Sequence, residues 1–180
     1  MFVQTELTPN PNSLKFLPGK KVSNDGSFEI TKKEETTNEL IRSILSISGV
    51  SGVFLGSNFL SVNKVENADW EDIKHIVISL INEFYSKGNE SVVESSLFKK
   101  DKSAFIEIEK KIIHILDSKI RPAVAKDGGD IKFKEFKDGV VKVELQGSCS
   151  GCPSSTMTLK QGVQNLLCHY LPEVKEVIAV

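Results

Sequence analysis

The sequence predicts a mixed α+β protein of two small domains, the second running α-β-β-α-β with helices packed on a small sheet. Three observations carry this. Short alternating runs bounded by turn residues recur in both halves, apolar residues recur at helical spacing between them, and the periodicity lapses at 87–103. The chain therefore divides into an N-terminal domain at 1–86, a flexible linker at 87–103 and a C-terminal domain at 104–180.

In the first unit, Phe2 to Leu7 alternates as a strand does and Leu14–Leu17 is a second short run. Thr8-Pro9-Asn10-Pro11-Asn12-Ser13 between them is dense in turn formers and is read as a rigid turn without chemistry. Thr36-x-x-Glu39 has the form of a capping box before Leu40, Ile41 and Ile44. Val50 to Val65 reads as a hairpin turning at Gly56-Ser57-Asn58. Asp69 then caps a helix whose stripe is Trp70, Ile73, Val77, Leu80, Ile81 and Phe84. The linker carries Gly, Ser and charge, with one helical turn expected around Val92-Val93.

The second unit opens with a helix that buries Phe105, Ile108, Ile112, Ile115, Leu116 and Ile120, with Pro122 in its last turns. Asp127-Gly128-Gly129-Asp130 reads as a helix C-cap with a glycine just past the end, in preference to an acidic metal or catalytic pair. Ile131–Phe133 and Val140–Leu145 form a hairpin about Asp138-Gly139. After a tight loop, a helix turns Leu159, Val163, Leu166, Leu167 and Tyr170 inward, and Val174 to Val180 closes as a strand.

Composition excludes several functions. A net charge of −1, with neither half dominated by one sign, leaves no basic footprint for nucleic acid. No apolar run approaches the ~20 residues of a membrane span. Met1 to Glu6 has neither a signal-peptide nor a transit-peptide pattern, so a cytoplasmic protein is expected; a processed mitochondrial protein would present the same start. Three cysteines do not make a secreted disulfide framework. No Ser/His/Asp set or phosphate loop points to an enzyme.

The specific signal is Gly147-Ser148-Cys149-Ser150-Gly151-Cys152-Pro153. A loop this short turns both sulfurs to one side, and its glycines supply positive φ. Pro153 suits the first position of a helix, which puts Cys152 near the N-cap, where backbone N–H groups favour thiolate, the form that binds metal. Two thiolates do not complete a zinc or cluster site, which takes four ligands. Cys168 and His169 are 16 or more residues further along, roughly 24 Å on a helix, and cannot reach. The other two ligands come most simply from a second copy, giving a four-cysteine site on a two-fold axis. Held by so few bonds per chain, the bound group suits hand-over better than permanent electron transfer.

These residues carry a resemblance. The Gly147–Thr156 run leading to Thr158-Leu159-Lys160-x-Gly162, and Arg121-Pro122 through Asp130, resemble the NifU-like (Nfu) family of iron–sulfur scaffold and carrier proteins. Thr8–Asn12 with Leu14-Lys15-Phe16 resembles the N-terminal domain found in many of its members. The resemblance implies a non-enzymatic protein on which a [4Fe–4S] cluster is assembled between two C-terminal domains and passed to apo-proteins, with the upstream cluster-assembly machinery as a further partner; a [2Fe–2S] form is also implied. Only Cys149 and Cys152 map onto family ligands, and Cys168 inherits no role.

Two other classes use the same pair: a dithiol–disulfide oxidoreductase and a structural zinc-bridged dimer. The thioredoxin pattern needs the pair after a first β-strand, and a zinc ribbon needs a second Cys-x-x-Cys. Neither condition is met; the zinc-bridged dimer stays open, and the colour of the purified protein separates it from a cluster. His75, His114 and His169 lie isolated on helices and read as surface or packing residues. The second unit is expected to fold alone, with the first affecting client choice or transfer rate rather than ligation.

Overall fold

The structure, a computed structural model, describes residues 2–24, 26–93, 106–150 and 153–180, with the backbone alone at 153–155. Its order of elements is β1 (Gln4–Leu7), β2 (Ser13–Leu17), β3 (Phe28–Ile30), α1 (Glu39–Leu45), β4 (Val50–Leu55), β5 (Leu60–Lys64), α2 (Trp70–Ser86), α3 (Glu107–Ile115), α4 (Arg121–Lys126), β6 (Gly129–Lys137), β7 (Val140–Gly147), α5 (Pro153–Tyr170) and β8 (Glu176–Ala179). Helix and sheet in both halves make this the expected α+β fold.

The first sheet has the antiparallel order β1-β2-β5-β4-β3. The turn-rich segment closes the β1–β2 hairpin, where Asn10 Oδ1 accepts from the backbone N–H of Asn12 at 2.9 Å. Helices α1 and α2 cover one face through Leu40, Ile41, Ile44, Ile73, Val77 and Ile81. Asp69 caps α2 as expected, accepting from the N–H of Glu71 at 3.0 Å. The cap of α1 differs. Asn38, not Thr36, accepts from the N–H of Ile41, while Thr36 Oγ1 accepts from the N–H of Asn38 and so braces the approach. Strand β3 has no counterpart in the sequence reading, because three residues are too few for alternation to show.

Residues 91–93, read as linker, pack into the first core instead. Val92 and Val93 are buried and accompany Val22, and Val93 makes a parallel bridge to Ser23 rather than a helical turn. Residues 94–105, and with them Phe105, lie outside the described residues.

The second sheet has the order β6-β7-β8. β6 and β7 are antiparallel about Asp138-Gly139, whose φ values of 52° and 79° are those of a tight hairpin turn. β8 runs parallel to β7, which requires a crossover, and α5 supplies it. The first helix is not uniform: α3 passes through a π turn at 116–120 into α4, with Pro122 in the first turn of α4. Ile112, Leu116, Ile131, Val141, Val163 and Leu167 centre the second core. Tyr170, expected inward, is exposed and lies under Lys119 Nζ, while Leu171 takes the buried place.

The far face of the first sheet meets the second unit. In β4, Val53 and Leu55 enter the first core, whereas Phe54 points the other way and is still only 1% exposed. Ser61 in β5 is wholly buried, between Leu60 and Val62. Expected to be joined only by a flexible linker, the two units instead touch across this face.

Leu167→Ala should leave a cavity at the centre of the second core and lower the free energy of unfolding by about 3 kcal/mol, measured by urea denaturation of the full chain.

Candidate functional site

Cys149 follows β7 directly, on the connection to α5. Two turns of main chain meet there. Gly129 pairs with Gly147 at the end of the β6–β7 ladder, and Ser148 N–H donates to Gly128 O at 3.2 Å. Gly147 has φ 68°, and a Cβ on it would lie 2.6 Å from Gly128 O. A Cβ on Gly129 would lie 2.6 Å from Cys149 Sγ. No larger residue fits either place. The loop is tightened further by Ser150 N–H donating to Gly147 O at 3.2 Å and by Thr156 Oγ1 donating to Cys149 O at 3.3 Å.

Cys149 is 7% exposed and belongs to the second core. Burial pushes its thiol up to about 11, the Ser148 hydroxyl pulls against this, and Asp127 and Asp130 add to it. The thiol is neutral in this conformation. Helix α5 begins at Pro153 as expected; Cys152 and Gly151 lie outside the described residues. Cys168 is half-buried against the second core near the far end of α5, and His75, His114 and His169 are exposed. An apolar cleft of about 640 Å³ opens beside Cys149, between α4, α5 and the β1–β2 turn, lined by Pro9, Ile120, Val124, Leu159, Val163 and Leu166.

The Asp127–Asp130 turn bears out its reading as a cap: Gly128 has φ 80° and its N–H donates to Ala125 O at 3.1 Å. Asp130 does more. Arg121 grips its carboxylate from two nitrogens, Nε to Oδ1 at 2.8 Å and Nη2 to Oδ2 at 2.7 Å, while Nη1 reaches Asp117. Burial would raise Asp130, but the Arg121 fork and the Ser27 hydroxyl outweigh it and hold the carboxyl below its usual value.

The N-terminal unit contributes residues that the sequence reading left without a role. Asn10 Nδ2 donates to Ser148 O at 3.2 Å and to Ser150 O at 3.4 Å, the carbonyls on either side of Cys149. Ser61 Oγ donates to Gly128 O at 2.6 Å, and Lys15 Nζ to Lys126 O at 3.3 Å. Glu29 accepts from Gly147 N–H at 3.2 Å and from Ser150 Oγ at 3.4 Å; burial raises its pKa against those two bonds. One signal for this was present. Apolar Val53-Phe54-Leu55, without alternation, is the pattern of a strand covered on both faces.

Two family descriptions match: "NifU-like domain" over residues 112–178 and "Scaffold protein Nfu/NifU N terminal" over residues 3–88. The chain is 43% identical over 180 residues to the NFU1 iron-sulfur cluster scaffold homolog, mitochondrial, of Homo sapiens, covering 98% of this chain and 71% of that protein. It is 41% identical to NifU-like protein 4, mitochondrial, of Arabidopsis thaliana, and there spans 65% of the relative's length. The solution structure of a NifU-like protein from Saccharomyces cerevisiae matches with a TM-score of 0.48 and 28% identity, over 53% of this chain and 87% of that one.

Asp130→Asn should cost about 2 kcal/mol of stability at pH 7, since it removes the charge on which Arg121 is seated. Because the folded pKa lies below the ordinary 3.8, the carboxylate's contribution is present above that value and lost as pH falls through the folded one. Denaturation curves of the two proteins should therefore converge as pH falls below 3.8 and through the lowered folded value.

Proposed function

We propose that this chain, which belongs to the NifU-like (Nfu) family, binds an iron–sulfur cluster through Cys149 and Cys152 and transfers it to apo-proteins. The observation that carries the reading is the place of Cys149. It stands on the connection from the end of the second sheet to α5, inside the NifU-like match, in a chain whose relatives are named as cluster scaffolds.

The cluster is the cargo. Cys149 and Cys152 of two copies supply four thiolates, and [4Fe–4S] is the form proposed, with [2Fe–2S] the lesser one. The reading takes two ligands from each copy because Cys149 and Cys152 are only half of a four-ligand set. Iron displaces the thiol protons, which leave to solvent, so binding itself drives a deprotonation that burial opposes. On transfer, thiolates of the acceptor replace those of the carrier one for one, and no net oxidation or reduction occurs. The protein acts here as a carrier, not as an enzyme.

A dithiol–disulfide oxidoreductase would need an exposed thiol of lowered pKa as its attacking group. Cys149 has the opposite properties: it is buried and its thiol is pushed up. For the compartment we propose the cytoplasm or, as the relatives' names state for those proteins, the mitochondrion. Among the described residues no helix is long and apolar enough to cross a membrane.

Anaerobic reconstitution with iron and sulfide analysis, Mössbauer spectroscopy and sedimentation tests the reading. Cys149→Ser and Cys152→Ser should each lose the cluster while keeping the fold, and Cys168→Ala should keep full iron content. Cluster loading should convert monomer to dimer. A stable cluster on either single serine variant, or a fully loaded monomer, would overturn it.

A further inference from the structure

The structure shows where the N-terminal unit sits, and this bears on when the cysteine loop can work. Four of its residues bond to the two turns that form the site, and a fifth bonds to β6 beside them. Asn10 holds the carbonyls of Ser148 and Ser150, Ser61 that of Gly128, and Asn63 Nδ2 that of Gly147 at 3.4 Å. Glu29 takes the N–H of Gly147, and Lys132 of the second unit donates to Ser27 O at 2.9 Å. Asn10 and Ser61 are buried by this contact, at 7% and 0% exposure.

With the peptides on both sides of Cys149 pinned, its backbone is fixed. Its sulfur packs inward against Gly129. Bringing that sulfur to the surface turns the 148–150 peptides and breaks the Asn10 bonds. A thiolate shared with a second copy must also be reachable by that copy, and the β1–β2 turn stands beside it, with Pro9 lining the same cleft as Cys149.

We propose that the N-terminal unit is a built-in cover for the cysteine loop, seated in the cluster-free protein by Asn10 and Ser61, and that it must lift for the loop to accept a cluster. The proposal rests on the reading of Cys149 as a cluster ligand and adds its regulation. The seat also has the character of one that opens. Asn63 Oδ1 and Gln146 Oε1 are buried beside it without a hydrogen-bond partner among the described residues, and lifting the cover would hydrate both. Permanent interfaces leave few such atoms.

The test is the rate of Cys149 alkylation by iodoacetamide in the full-length, cluster-free protein, mapped by peptide mass, with Cys168 as internal reference. Asn10→Ala and Ser61→Ala each remove bonds of the seat without touching either core. Each should speed Cys149 labelling about fivefold to tenfold and the double variant about thirtyfold, with Cys168 unchanged. Hydrogen exchange at the Gly147 amide, which donates to Glu29 in the closed form, should quicken in parallel. Circular dichroism and urea denaturation check that the variants are folded. Ser61→Ala, which deletes a single oxygen, serves if Asn10→Ala is not. Labelling and exchange unchanged in a folded double variant would overturn the cover. Neither readout uses a cluster, so accelerated labelling in a protein that never takes up iron and sulfide would refute the cluster reading and leave the cover standing.

Discussion

At 127–130 and 147–150 two turns of main chain cross at van der Waals contact, and the rest of the site depends on that crossing. The approach is closer than any Cβ allows: on Gly147 it would meet Gly128 O, and on Gly129 it would meet the sulfur of Cys149. Because the turns touch, Ser148 N–H can reach Gly128 O and the Ser148 hydroxyl can reach Asp127 O. The end of β7, the end of α4 and the cysteine are thereby locked into one piece. Asp130 adds the second restraint, tying β6 to Arg121 at the start of α4 by a two-nitrogen grip. A residue that reads in sequence as part of a turn proves to be a strut.

Phe54 shows how the N-terminal unit comes to rest on that piece. A Cβ on Gly147 would stand 3.0 Å from its ring, so the ring lies flush against the glycine turn. Lys15 lies over the neighbouring Phe59 ring at 4.8 Å and spans to Lys126 O, placing a cation where apolar and polar contacts meet. The seat is thus apolar at its middle and polar where it touches the cysteine loop. Apolar contact supplies attraction without direction; the hydrogen bonds select one register.

Long elements and strong turns were legible in the sequence. The α2 stripe, its Asp69 cap, the Asp138-Gly139 hairpin, the α-β-β-α-β order and the Gly128 cap all follow from local rules that tertiary contacts do not overturn. The failures have a common cause. Thr36 and Asn38 are both good caps two residues apart, and only packing chooses between them. β3 is held by pairing with β4, not by its own pattern. Val92 and Val93 look like linker because two apolar residues have no period, yet the groove beside Val22 receives them. The Cys149 motif was plain from spacing. Its burial was not, because it joins a core built from several elements, and the groups that hold the loop around it, Asn10 and Glu29, stand more than a hundred residues away in sequence. Asn10 was read as a turn residue, and its Oδ1 does make that turn; the same geometry leaves its Nδ2 free to face the other unit.

Burial of Cys149 protects its sulfur. A thiol pushed up to about 11 carries almost no thiolate near neutrality, and thiolate is the form that oxidants attack. An exposed, ionised cysteine would be open to disulfide or sulfenic acid formation. Asp127 and Asp130 sharpen this, since both disfavour a second negative charge beside them. Opening the loop to water removes the largest contribution, desolvation, and leaves the smaller opposition of Asp127 and Asp130. The electrostatic setting of the cysteine then changes through solvent access, with no need to rearrange the charges of the C-terminal unit.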